Sequence, residues 1–148
     1  MTISKNLIQD ACLLKQSELI DSFQNRIDSM KSDVLEANQS PSQTEGRAAG
    51  KVELYNAVGK ELDFALREME FLETLNPENE CTIVEPGALV VTDKITIYIC
   101  VSIEEIEVEG KAIFGISTRA PIYAAMRGLK KGDYFKFNEM EYQIQDIY

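Results

Sequence analysis

Four carboxylates gather around one break in the sequence. Asp33 and Glu36 precede the stretch ANQSPSQTEGRAAGKVE (37–53), and Glu45 and Glu53 fall within it. Paired carboxylates at such a turn are the residues that would hold a divalent cation or position a water. Spacing limits which of them can act together. Glu45 and Glu53 are separated by about 12 Å along a helix, too far to share one ion. Glu36 and Glu45 can meet across the turn. Arg47 and Lys51 stand among these acids, and a cation there opposes metal binding by simple repulsion. The ordinary structural explanation is that all of these are solvated charges on a helical surface.

Other chemistry is largely closed off. The chain has no histidine, which removes Ser–His and Cys–His nucleophile pairs and histidine-ligated metal sites. Cys12, Cys81 and Cys100 are far apart with no CxxC pairing, so they are expected to be reduced thiols, with Cys12 and Cys100 buried. No catalytic residue, resident metal or cofactor is assigned.

Charge constrains partners next. The net charge is −10 over 148 residues. Residues 1–76 carry 8 basic and 13 acidic side chains and residues 77–148 carry 7 and 12, so each half is −5. That balance argues against tight sequence-independent binding to duplex DNA and points to protein partners with basic faces. One segment departs from it. Between Gly110 and Gly132 stand Lys111, Arg119, Arg127, Lys130 and Lys131, without a single acid. Within that segment Arg119-Ala120-Pro121-Ile122, with Arg127, Lys130 and Lys131, is the principal candidate for a binding surface. The alternative there is that Pro121 only starts a helix and Ile122 only fills a core.

The elements that position these residues differ between the halves. Residues 5–76 read as helix: Ile20, Phe23, Ile27, Met30, Val34 and Ala37 recur at 3-4 spacing, and so do Tyr55, Val58, Leu62, Ala65, Met69 and Leu72. Such stripes pair two helices with slight supercoiling. The short break between Asn38 and Ser42 permits only an antiparallel return, and Ser42-Gln43-Thr44-Glu45 fits a capping box. At about 1.5 Å per residue an arm of about 35 residues is roughly 50 Å long. Asn76-Pro77-Glu78-Asn79 ends the second helix. From Cys81 the period becomes that of strands: GALVVTD and KITIYICVSI, then a hairpin turning at Glu109-Gly110, a short helix opened by Pro121, and a terminal hairpin from DYFKF and EYQIQDIY. The expected class is α+β, with an antiparallel coiled-coil hairpin at 1–76 (tip near 38–50) followed by a small, mainly antiparallel β domain with one short helix at 77–148.

The run ISTRAPIYAAMRGLKKGDYFKFNEMEYQIQDIY (116–148) resembles the end of bacterial Gre transcript-cleavage factors. Ala120-Pro121-Ile122 stands in the place of their Ser-Pro-hydrophobic motif. Gly128-Leu129-Lys130-Lys131-Gly132-Asp133 stands in the place of their Ile/Leu-Gly-Lys-Lys-x-Gly-Asp motif, with Gly and Leu transposed. The preceding helical hairpin extends the similarity over almost the whole chain. The resemblance implies an FKBP-like C-terminal domain that docks on the rim of the RNA polymerase secondary channel. It also implies a coiled coil that carries two carboxylates to the polymerase active site, where they help hold a second Mg²⁺. Nucleic acid is then met only inside the transcription complex, and Mg²⁺ only within the polymerase's own active site.

The tip departs from that pattern. Aligned on Tyr55-Asn56-Ala57, Ala48 occupies the place of the family's aspartate and Lys51 that of its first glutamate. The expectation is therefore a channel-binding regulator of elongation or backtracking with weak or no cleavage stimulation, and not an enzyme. Two other classes compete with this one. A prolyl isomerase of FKBP type needs an aromatic pocket usually floored by tryptophan, and this chain has none. A coiled-coil adaptor or chaperone needs exposed apolar residues beyond the pairing stripe. A monomer in the cytoplasm without membrane association is the default, with a dimer through the arm left open.

Overall fold

The computed structural model describes the backbone of residues 4–39 and 45–148 and the side chains of residues 4–32 and 50–148. Two long helices, α1 (Lys5–Gln39) and α2 (Glu45–Thr74), precede β1 (Leu89–Thr92), β2 (Thr96–Cys100), β3 (Ile103–Val108), β4 (Lys111–Ser117), α3 (Pro121–Met126), β5 (Tyr134–Phe137) and β6 (Met140–Ile147). The chain is α+β, as the change of period indicates. It forms two compact units, Met1–Lys15 with Glu70–Tyr148, and Gln16–Met69. The compact division thus falls at 15/16 and 69/70, whereas the sequence suggests 76/77. The difference arises because the ends of both helices pack into the sheet unit.

In the helical unit the two stripes face each other. Val58, Leu62 and Ala65 are buried, and Ile20, Phe23, Ile27, Met30, Tyr55 and Met69 are half-buried. Gln16 Nε2 donates to the Ala65 carbonyl at 2.9 Å, while Ile27 lines a groove with Tyr55, Gly59 and Leu62. Advancing along α1 means retreating along α2, so the pair is antiparallel. The proposed capping box at Ser42 lies outside the described residues.

In the sheet unit the strand order is β3-β4-β2-β1-β6-β5. Alternation along the strands sorts side chains onto two faces. Val90, Ile97, Ile99, Phe135, Tyr142, Ile144 and Ile147 pack with Ile122, Tyr123 and Met126 of α3. Leu89, Tyr98, Cys100, Ile103, Ile106, Val108 and Ile113 pack on the other face with Ile8, Cys12 and Leu72 from the helix ends. Each fully buried aliphatic side chain contributes roughly 1.5–3 kcal/mol, so both faces are needed. All three cysteines are free and buried.

Polar groups fix the helix ends to this sheet. Tyr98 Oη donates to Gln9 Oε1 at 2.6 Å, and Gln9 Nε2 donates to the Leu72 carbonyl at 2.7 Å. Lys5, nearly buried, donates to the carbonyls of Asn79 at 2.6 Å and Tyr148 at 3.2 Å. Burial lowers its pKa, against the opposing pull of Cys81, Glu80 and Glu85.

Two turns match their sequence signals. Glu109 and Gly110 take φ of 52° and 78° between β3 and β4, as a tight hairpin requires. The Asn76 side chain accepts from the Glu78 amide at 3.0 Å, closing the linker after α2. The sheet is mainly antiparallel, as expected, with one parallel pairing. KITIYICVSI reads as one strand, but β2 stops at Cys100 and pairs with β4 in parallel, from Ile97↔Phe114 to Cys100↔Ser117. The chain turns at 101–102 and returns on the far side of β4 as β3. Gly115 makes this possible: a Cβ there would lie 2.8 Å from Ile103 Cβ and 3.0 Å from the Val101 carbonyl oxygen.

Candidate functional site

The basic segment is built on α3 and the loop that follows it. Ala120 has φ −69° and ψ 140° and caps the helix without a side-chain bond, and Pro121 occupies the first turn, where its missing N–H leaves nothing unpaired. Ahead of it, Ser117 Oγ accepts from the Arg119 amide at 3.1 Å and the Ser117 carbonyl accepts from Ala120 at 3.0 Å. These bonds set the strand-to-helix corner at which Arg119 is exposed. Pro121 is exposed too, and Ala120 is half-buried.

Ile122, one of the candidate binding residues, is 9% exposed and packs in the α3 core. A side chain so placed anchors the helix.

After α3 the loop is held from both sides. The Arg127 amide donates to Tyr123 at 2.8 Å, Gly128 N donates to the Val84 carbonyl at 3.0 Å, and Val84 N donates to the Leu129 carbonyl at 2.9 Å. Lys130 forms an antiparallel bridge with Ile83. Asp133 Oδ2 accepts from the Lys130 amide at 2.9 Å, and Gly132 N donates to Ile144 at 2.8 Å. Gly128 and Gly132 sit at φ of 80° and 92°, the left-handed region that glycine enters at little cost. Arg127, Lys130 and Lys131 are exposed on this loop, and Lys131 lies 3.6 Å from Asp146. A Tyr148 hydroxyl bond is the main reason Asp146 titrates below the ordinary carboxylate range, with Lys131 adding to it.

The segment therefore presents Arg119, Pro121, Arg127 and Lys130 on a short helix and a loop with few free backbone groups. Such a surface suits a partner bearing carboxylates, with the cations steering encounter and orientation. The sequence analysis names Asp133 within a motif but gives no role to it, to Ser117 or to Ile83. Ser117 and Asp133 carry local turn signals, a hydroxyl two residues before Arg119 and a carboxylate three after Lys130. Ile83 carries none, because it reaches Lys130 only through the fold.

The hairpin tip is described only in part. Lys51 and Glu53 are exposed on α2. The side chains of Glu36, Glu45 and Arg47 lie outside the described residues. Among the described residues no group of three or more His, Cys, Asp or Glu could hold a metal ion, and no helix is long and apolar enough to cross a membrane.

No protein-family model and no curated protein matches the chain. Among solved structures, it is similar to one described as the transcription factor Gfh1, at 12% identity and a TM-score of 0.37, over 93% of this chain and 94% of that one. It is also similar to the GreA factor homolog 1 (Gfh1) protein of Thermus thermophilus, at 14% identity and a TM-score of 0.35, over 92% of this chain and 94% of that one. A third is Gfh1 of Thermus aquaticus, at 15% identity and a TM-score of 0.34, over 94% and 95%. At such values the functional reading has to come from this chain's own residues.

Proposed function

We propose that this protein is a Gre-type ligand of bacterial RNA polymerase that binds at the secondary channel and modulates elongation or backtracking without supplying a cleavage centre. The observation that carries the reading is the motif-bearing segment 116–133. Its resemblance to the Gre C-terminal motif falls on an exposed corner and loop, with Arg119, Pro121, Arg127 and Lys130 outward and the backbone held by hydrogen bonds. On this reading the sheet unit is FKBP-like and docks through that segment. The antiparallel helices enter the channel, as in the family.

The residues at the tip decide what happens there. Carboxylates that would hold a second Mg²⁺ are replaced by Ala48 and Lys51, and a lysine ammonium repels the ion. Any hydrolysis is then the polymerase's own two-metal chemistry, and this chain acts by occupancy. The expected setting is cytoplasmic and monomeric, with no resident cofactor.

The test is transcript cleavage in backtracked complexes of the cognate polymerase, with and without a cleavage-active Gre factor as competitor. Suppression of the competitor, with no cleavage by this protein alone, is the expected result. Cleavage by this protein alone would overturn the assignment of the tip. Neither cleavage nor competition would remove the polymerase reading.

A second reading has one observation behind it. Leu19 is 40% and Phe64 47% exposed, and with Phe23 and Ala65 they line an open groove of about 370 Å³ in the helical unit. Leu19 and Phe64 are apolar residues beyond the pairing stripe, which a coiled-coil adaptor would use. In that case a partner is retained by the helical unit without polymerase.

A further inference from the structure

The sequence places every candidate docking residue between 119 and 131. The fold adds another segment. Ile83 is 36% exposed and pairs with Lys130 in an isolated antiparallel bridge. Directly opposed residues of an antiparallel pair project to the same side, their Cβ atoms about 5 Å apart. Ile83 therefore stands beside the Lys130 side chain. The two backbone bonds that lock Val84 to Gly128 and Leu129, at 3.0 and 2.9 Å, follow directly on, and Arg127 precedes Gly128.

We propose that Ile83 is the apolar anchor of the docking surface, set beside Lys130 on the loop that also carries Arg127, and that it enters an apolar depression rimmed by carboxylates on the polymerase. The inference rests on the polymerase reading and adds to it the residue that limits dissociation. Interfaces gain most of their affinity from a few side chains desolvated at the centre, while charges at the rim mainly set encounter rate. Arg127 and Lys130 are exposed cations suited to the rim. Ile83 is β-branched, with restricted χ1 freedom, on a backbone already fixed by pairing, so little further ordering accompanies binding. The acidic character of the partner follows from charge: this segment is the basic exception in a chain of −10.

The experiment measures association and dissociation rates of the full chain on cognate core RNA polymerase, at several salt concentrations. Wild type is compared with Ile83→Ala, Ile83→Val and Lys130→Ala. Ile83→Ala should weaken binding roughly tenfold or more, through faster dissociation and with an unchanged salt slope. Ile83→Val should bind nearly as wild type. Lys130→Ala should slow association and flatten the salt dependence. Melting temperatures of the same variants, measured alongside, separate loss of contact from loss of fold. If wild type binds and Ile83→Ala binds within about twofold of it, the anchor is overturned while the polymerase reading stands. If wild type itself does not bind, the polymerase reading falls and takes the anchor with it.

Discussion

Tyr98 in the centre of the sheet donates its hydroxyl hydrogen to Gln9 Oε1 in the first turns of α1, 2.6 Å away across 89 residues of sequence. The same glutamine passes a bond on to the Leu72 carbonyl at 2.7 Å. One buried amide thus joins sheet, first helix and second helix inside the sheet unit. Burial is the chief cause that raises the Tyr98 pKa, so the phenol stays a neutral donor at every ordinary pH.

Tyr98→Phe should destabilise the protein by about 1–3 kcal/mol, because Gln9 Oε1 is left buried without its donor. Urea unfolding at neutral pH measures it. A Gln9→Leu/Tyr98→Phe double variant should cost less than the sum of the two single changes, since both polar partners are then gone.

Gly115→Ala should be destabilising by about 1–3 kcal/mol. The added methyl would lie 2.8 Å from Ile103 Cβ, and the backbone on both sides is held in strand pairing. A fall in the urea midpoint with an unchanged slope is the expected result.

Glu139→Gly should stabilise by up to about 1 kcal/mol. Asn138 and Glu139 turn the last hairpin at φ of 51° and 66°, a pair for which Asn-Gly is the preferred sequence. Thermal melting reads the gain, which is limited because glycine also loosens the unfolded chain.

Acid should weaken the fold through Asp93 and Asp146. The Gln143 amide, bound to Asp93 Oδ1 at 2.9 Å, is the first cause that lowers the Asp93 pKa. The Tyr148 hydroxyl is the first cause for Asp146. Both folded values lie below the unfolded ones. Their contribution is therefore complete above the unfolded value of about 3.9 and is lost as pH falls below it. The urea midpoint should drop in that window, and Asp93→Asn should flatten the drop.

On the proposed polymerase reading, placing carboxylates at the tip should change the response of a backtracked complex. The double variant Ala48→Asp/Lys51→Glu is expected to gain Mg²⁺-dependent stimulation of transcript cleavage where wild type has little or none. Gel analysis of the shortened RNA measures it.

Much of the architecture was legible because it is written locally. The 3-4 stripes, the Glu109-Gly110 turn, Pro121 opening α3 and the alternation of β3 each need only a few neighbouring residues. What escaped depends on distant pairing. Nothing near Cys100 says that β2 will pair in parallel with β4, nor does Gly115 by itself reveal that Ile103 must pass so close. At the candidate site the exposure of Arg119, Arg127 and Lys130 is what their charge leads one to expect. The burial of Ile122 is less legible, because a hydrophobic residue after a helix-starting proline suits either a core or an interface. Ile83 was missed because its neighbour Lys130 is 47 residues away.

The sheet unit is assembled from both ends of the chain, Met1–Lys15 and Glu70–Tyr148. During synthesis this imposes an order. The helical stretch 16–69 can close on itself as soon as it leaves the ribosome. Ile8 and Cys12 cannot be covered until Tyr98 and Ile113 exist, a wait on the order of ten seconds at roughly 5–20 residues per second. Throughout that interval the first turns of α1 are a bare apolar ridge on a nascent chain, open to any chaperone waiting at the exit tunnel.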